Sequence, residues 1–411
     1  MGLENGRVVS FIRREHLAVA RHPSRSERRL RLTERRAPGP VGGMDSITQA
    51  ALGAAVGEAM LGRKLGNRAL LWGMLFGTLP DLDVILSPLL DTAHKLVWHR
   101  GPSHSLLIMV IASFALAPWL AKLWKKNKVS KGLAGAFVFA AWSTHVLLDC
   151  FTVYGTSVLW PFSETRIAFN NLFIIDPLYT LPLIVTLVWL AFLRTKKTLS
   201  KRRRLCWWGL GLSTGYVALS LLAKWVVSNG FDTDLRNRGV KFTRRMEAPT
   251  PLNILFWRSV VDRGDEFWVG YRSIFELWDT PVRWTVYPKG QDVFLPMAET
   301  REAKTIAWFS NGWWIARSHA NGLWLGDLRF GESRIFGDRK GMVDSHLVFS
   351  WVFTANASGD RLRQLTFERH DVGDNLKRMA QRIFGNREAW EAIPRLDGLY
   401  GRLPESLRYV E

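Results

Sequence analysis

Leu79-Pro80-Asp81-Leu82-Asp83 cuts into an apolar stretch that otherwise runs from about Ala69 to Leu90. A spanning helix needs ~20 apolar residues, and this stretch supplies them. Proline removes an intrahelical hydrogen bond. An unpaired carboxylate in hydrocarbon is costly unless it is neutralised, paired or bound to a cation. The pattern therefore reads as a broken helix lining a protected cavity, not as a lipid-facing span. It makes the fold a helical membrane bundle and marks Asp81 and Asp83 as candidate functional residues.

Two further polar islands lie outward from it. One is His99-Arg100-Gly101-Pro102-Ser103-His104-Ser105, and the other is His145-Val146-Leu147-Leu148-Asp149, followed by Thr152, Gly155 and Leu159-Trp160-Pro161. Imidazole with carboxylate is a ligand set suited to zinc, iron or manganese. His145 and Asp149 are spaced i, i+4 and share one helical face, as paired ligands on adjacent turns do. A buried His–Asp hydrogen bond without metal is the blander alternative. His99 and His104 flank Gly101-Pro102, which cannot continue a helix smoothly, and Ser103 or Ser105 would cap the helix starting at Leu106. Here the alternative is an interfacial loop with two exposed histidines. Asp81 and Asp83, at i, i+2, both line one site only if Pro80 breaks the helix. His94 reads as a loop histidine. Glu58 is expected to pair with Arg63 or Lys64, whereas Gln49 is placed to reach the site.

Six apolar segments are expected, at about Ile47–Leu61, Ala69–Leu90, Leu106–Trp124, Leu133–Phe151, Leu172–Leu193 and Leu205–Val227. The first is rich in alanine and glycine, so it belongs inside the bundle. The basic loops follow the first, third and fifth segments. The positive-inside rule then places these loops in the cytoplasm and both the region near Met44 and the chain after Ser228 outside. On that topology all three polar islands fall on the non-cytoplasmic face. The chain of 411 residues carries a formal net charge of +20, but much of the excess sits in these loops. No helix-turn-helix, zinc-finger or RNA-binding signature accompanies it, so no nucleic-acid partner is expected. Cys150 and Cys206 fall near opposite ends of the membrane layer and are not expected to pair.

The expected domains are 1–43, 44–227 and 228–411. The arginine-rich first segment is either a disordered basic tail or a stretch before the true start at Met44. The third is a soluble α+β domain. Glu266–Tyr271 and Trp308–Ile315 read as strands with Asn-Gly turns, a further Asn-Gly lies at Asn321-Gly322, and Leu376–Phe384 has helical periodicity.

From Met44 to about Trp225 the chain resembles bacterial inner-membrane proteins described as membrane-bound, metal-dependent hydrolases (LexA-binding, inner-membrane-associated). The resemblance rests on Met44-Asp45-Ser46-Ile47-Thr48-Gln49, LPDLD at Leu79 to Asp83, HRGPSHS at His99 to Ser105 and HVLLDCFTVYG at His145 to Gly155. It implies a metal site at His99, His104, His145, Asp149, Asp81 and Asp83, in the bacterial inner membrane. Many relatives have histidine where this chain has Gln49. The reading that follows is a hydrolase with a divalent ion, zinc first. Asp81 or Asp83 would be the general base, and the substrate an ester or phosphodiester in or near membrane lipid. A non-catalytic metal-ion transporter or envelope regulator is the alternative. The oligomeric state is left open. The soluble domain is expected to lie over the cluster as a lid or to present substrate to it, the alternative being a domain that simply folds beside the bundle.

Overall fold

Pro80 does break its helix. In the computed structural model α2 (Asn67–Thr78) gives way to a 3-10 segment, Leu79–Leu89, with Pro80 in its first turn. The structure describes residues 42–193, 198–319, 322–332, 347–354, 361–365, 372–390 and 409–410. The arginine-rich segment before residue 42 lies outside them, as does the loop 194–197.

α1 (Gly42–Leu65) and α2 form a hairpin that turns at Gly66, whose φ of 57° is left-handed and suits glycine. The two backbones then run in contact. A Cβ on Gly53 would lie 2.3 Å from the Gly73 carbonyl oxygen, and one on Gly57 2.2 Å from that of Ala69. Small residues permit this approach. Residues 51–57 are all buried, as the composition of this segment predicts.

After the hairpin come the short α3 (Thr92–Trp98), which packs on the C-terminal part, and then α4 (Leu106–Leu123), α5 (Lys131–Cys150), α6 (Pro177–Phe192) and α7 (Leu199–Asn237), which complete the bundle. Ser105, not Ser103, caps α4, its hydroxyl accepting from the Ile108 N–H at 3.2 Å. Asp91 caps α3 by accepting from the His94 N–H at 2.8 Å. His94 is thus on a helix rather than in a loop; the capping aspartate three residues earlier is the signal for it.

Helices occupy all six apolar segments, but among the described residues four stretches are long and apolar enough to cross a membrane: Asn67–Leu89, Leu106–Leu123, Lys131–Cys150 and Leu199–Asn237. α6 has 16 residues, about 24 Å of helix. α1 is walled in by other helices, and burial against protein rather than lipid is what its small residues serve. Large apolar side chains project outward from the bundle, among them Leu71, Phe114, Val185 and Phe192. An exposed apolar surface of this extent marks contact with lipid.

One end of the bundle gathers the basic loops. Lys64 Nζ donates to the Lys128 carbonyl at 2.6 Å, and Asn127 Nδ2 donates to the Lys64 carbonyl at 2.8 Å. Glu58 takes neither Arg63 nor Lys64. It accepts from Arg202 of α7, at 3.0 Å from Nε and 2.5 Å from Nη2, and both partners are buried. Arg63 and Lys64 are exposed, so only Arg202 reaches the buried carboxylate. Cys150 and Cys206 are both free and buried.

α7 does not stop at Val227 but continues to Asn237, so the boundary expected at Ser228 falls inside a helix. Its last turns enter the C-terminal part, where Val227, Phe231 and Leu235 pack with Trp257, Trp268 and Trp284. Asp234 fixes the joint by accepting from Trp284 Nε1 at 2.7 Å and from the Val282 N–H at 3.0 Å.

Two antiparallel sheets follow. β1 (Arg244–Pro249), β2 (Phe256–Asp262), β3 (Glu266–Ser273), β4 (Trp284–Pro288) and β9 (Tyr409–Val410) form the first, in the order β1-β2-β3-β4-β9. β5 (Trp314–His319), β6 (Gly322–Glu332), β7 (Leu347–Phe353) and β8 (Leu362–Gln364) form the second, in sequence order. The period-2 alternation of β2 explains why both faces of the first sheet are covered. Phe256 and Val260 pack toward the second sheet, whereas Trp257 and Val261 pack toward α7. The other face of the second sheet packs on α8 (Arg301–Phe309), on α3 and on Tyr154. Trp308 and Phe309 were expected in a strand. They end α8, whose start is capped by Thr300, and the turn at Asn311 and Gly312 leads into β5. Aromatic side chains favour strands, but here they supply the buried face of a helix. Asn321 lies outside the described residues. α9 (Val372–Ile383) covers most of the helix expected at Leu376–Phe384.

Candidate metal centre

The three polar islands meet at the end of the bundle opposite the basic loops. α5 presents His145 and Asp149 on one face, the 3-10 segment presents Asp81, and the turn before α4 presents His104. These four residues offer ligand atoms that all lie within 4.8 Å of one another. His104 Nε2 is 3.1 Å from His145 Nε2, 3.3 Å from Asp81 Oδ1 and 3.3 Å from Asp149 Oδ2. His145 Nε2 is 3.5 Å from each of the same two oxygens. A tetrahedral zinc site with bonds of ~2.0–2.2 Å has ligand–ligand edges of about 3.3–3.6 Å. The spacings fall close to that range.

A metal-free hydrogen-bond network accounts for less. His145 Nδ1 lies 2.7 Å from the Gly77 carbonyl and donates to it, so in a neutral ring Nε2 is a lone pair aimed at the cluster. A proton on His104 Nε2 satisfies that lone pair but neither carboxylate. Asp81 Oδ1 and Asp149 Oδ2 are buried without a hydrogen-bond partner. Both point where a cation would sit. Burial works against a charge on His104, yet the Asp149 and Asp81 carboxylates outweigh it and push its pKa up to about 9. The cluster therefore calls for positive charge, as a proton or as an ion.

The surrounding residues hold these ligands in place. Asp149 turns its other oxygen, Oδ1, to Gln49 Nε2 at 2.9 Å and to Arg100 Nη2 at 3.1 Å. Gln49 thus reaches the site as an orienting donor. Arg100 also donates from Nη1 to Thr152 Oγ1 at 3.1 Å. His104 Nδ1 is 2.9 Å from Ser103 Oγ. Such partners on the far side of a ligand are the usual companions of a metal site. His99 and Asp83 stand apart from the four. They pair with each other at 3.1 Å, and Asp83 Oδ2 accepts from the Arg100 N–H and Ser103 Oγ, both at 3.1 Å. Asp83 is saturated and shapes the turn that carries His104. Glu58 is far from the cluster in function as well as place, held by Arg202.

Arg100 escaped the sequence reading, although it lies within the quoted island. Charge balance was the available signal: carboxylates brought together in a buried site need positive charge, and the Arg100 guanidinium lies against Asp149. Tyr154 was missed as well. Its ring lies 5.4 Å from that of His99 and 5.1 Å from that of Phe309, with the Arg100 and Arg166 guanidinium groups each 5.0 Å from its centre. Arg166 donates to the Leu96 and His99 carbonyls at 2.6 and 2.8 Å. The second sheet and α8 thereby close over the turn that carries His99.

Apolar helices with a buried His/Asp cluster at one end define an integral membrane protein with a possible metal-binding site. Residues 44–227 match the family model described as YdjM inner membrane protein. Among curated proteins, the inner membrane protein YbcI of Escherichia coli (strain K12) is 30% identical over 124 residues, 29% of this chain and 69% of that protein. The chain belongs to the YdjM inner membrane protein family, and its place is the inner membrane. The family match ends inside α7, before the first strand of the β-sheet part. No solved structure matches the chain.

Proposed function

We propose that this protein holds one divalent ion, zinc first, between Asp81, His104, His145 and Asp149, and uses it to hydrolyse an ester or phosphodiester at the outer face of the inner membrane. The observation that carries the reading is the convergence of two imidazole nitrogens and two carboxylate oxygens without hydrogen-bond partners, all within 4.8 Å of one another. A bound ion of this kind lowers the pKa of water toward ~7 and polarises a carbonyl or phosphoryl oxygen.

The chain's own residues divide the remaining work. Asp83 is fully hydrogen-bonded, so the carboxylate able to accept a proton from incoming water is Asp81, through its second oxygen. Asp81 is 18% exposed, against 0–1% for His104, His145 and Asp149, so substrate approaches from its side. The exposed Leu82, Val84 and Ile85 beside it suit an amphiphile lying in lipid. The β-sheet part serves as the cover that excludes water from the other side, where charges act more strongly. Its ties are the Tyr154–Phe309 contact and the ion pair of Arg301 with Asp91 at 2.7 Å.

Closure of all four positions by protein favours a second reading, an ion that only holds the helices together, because structural sites are closed and catalytic ones keep a position open. One experiment separates them. The full chain in lipid vesicles is assayed against chromogenic phosphodiesters and acyl esters, with and without chelator, beside Asp81→Asn. Turnover that chelation abolishes, and that Asp81→Asn lowers about 100-fold or more, is the expected result. No turnover on any substrate, together with a fall in melting temperature on chelation, favours the structural ion.

A further inference from the structure

The basic end of the bundle carries a second site. Arg63 of α1 meets Ser200, Arg203, Arg204, Trp207 and Trp208 of α7 around a surface recess of about 490 Å³. Ser200, Arg203, Arg204 and Trp207 are spaced i, i+3, i+4 and i+7, so one face of α7 is arginine in one turn and tryptophan in the next. Opposite faces of the same turns are buried at Arg202, Cys206 and Gly209. The buried pair of Glu58 with Arg202 locks α1 to α7 and so brings Arg63 beside Arg203 and Arg204.

Among the described residues, no acidic side chain lines the recess. Glu58, the acid of this end of α1, is already taken by Arg202. All three arginines are exposed, and none forms an ion pair with an acid among the described residues. Trp207 and Trp208 are also exposed, at 55% and 60%. They lie one turn, about 5 Å, further along a helix that is apolar enough to cross the membrane. Arginine at the phosphate level with tryptophan just beneath it is the order in which these side chains meet a bilayer surface.

We propose that this recess binds the headgroup of an anionic diacyl phospholipid. The arginines hold its phosphate and the two indoles flank the glycerol and the start of its acyl chains. The site is independent of the metal cluster, which lies at the other end of the bundle. Basic recesses between helices on the cytoplasmic side are suited to such lipids.

The test is native mass spectrometry of the full chain in mild detergent with added phosphatidylglycerol, phosphatidylcholine, glycerophosphoglycerol or inorganic phosphate. Wild type should retain phosphatidylglycerol in preference to phosphatidylcholine, and neither soluble anion should displace it at equal concentration. Arg203→Gln/Arg204→Gln should weaken retention about 30-fold. Lys125→Gln/Lys126→Gln, which removes the same charge from exposed positions at the same end, should not. Trp207→Ala should weaken retention with the charge unchanged. Equal losses in both double variants would reduce the effect to general surface charge. Displacement by glycerophosphoglycerol or phosphate would mean a soluble anion instead of a lipid. Either result overturns the proposal.

Discussion

Asp149→Ala should lower the stability of the detergent-solubilised protein by about 3–5 kcal/mol, the usual cost of stripping a buried charge of its partner. Asp149 and Arg100 are 1% and 2% exposed and lie 3.1 Å apart. Removing the carboxylate leaves the guanidinium in a dry setting with Thr152 as a neutral partner, and it takes one oxygen out of the cluster. The double variant Asp149→Leu/Arg100→Met separates these effects. Replacing both charges with apolar groups should restore much of the melting temperature, because a buried pair is often no more stabilising than packed hydrocarbon. The ion should stay lost. Thermal unfolding followed by tryptophan fluorescence, with metal content on the same samples, checks both points. A single variant as stable as wild type would show that Arg100 does not depend on Asp149.

Gly73→Leu should be at least as severe. A Cβ at Gly73 would lie 2.1 Å from the Gly53 carbonyl oxygen and 2.9 Å from the Ala54 Cα, so the obstacle is backbone and cannot rotate away. Overpacking costs about 1–3 kcal/mol where side chains can yield, and here they cannot, so the hairpin must open. Opening it also moves Gly77, whose carbonyl accepts from His145 Nδ1, and Gln49, which orients Asp149. Loss of monodisperse protein on size-exclusion chromatography is expected, with any surviving fraction depleted of metal. Gly211→Leu is the control, since nothing lies within 4 Å of a Cβ at that exposed helical position. Comparable behaviour of the two variants would contradict close packing of α1 on α2.

Much of this was legible in the sequence because charge in an apolar setting is costly and hence informative. Asp81, His104, His145 and Asp149 stood out as interruptions, and the structure brings them together. Pro80 announced the broken helix, and the Ala/Gly run announced a buried α1. Pairings that depend on three-dimensional neighbours were hidden. Nothing local to Glu58 points to Arg202, which lies far along the chain. His99 and Asp83 carry the same ligand chemistry as the four but face each other, and only the fold of the 99–105 turn decides that. The length of α7 was missed because its last turns exchange lipid for tryptophans of the β-sheet part as neighbours, so the apolar run ends where the helix does not.

On the proposed reading, Asp81, His104, His145 and Asp149 together hold one ion. Metal content of the purified full chain by inductively coupled plasma mass spectrometry, for wild type and His145→Ala prepared side by side, tests it most directly. About one divalent ion per wild-type chain is expected, with a loss of about 10- to 100-fold or more in affinity for the variant, larger than the effect of removing an outer partner alone. His99→Ala, which alters a residue outside the four, should keep its ion. Wild-type protein that binds no divalent ion on loading, or a His145→Ala variant that binds as much as wild type, would contradict it.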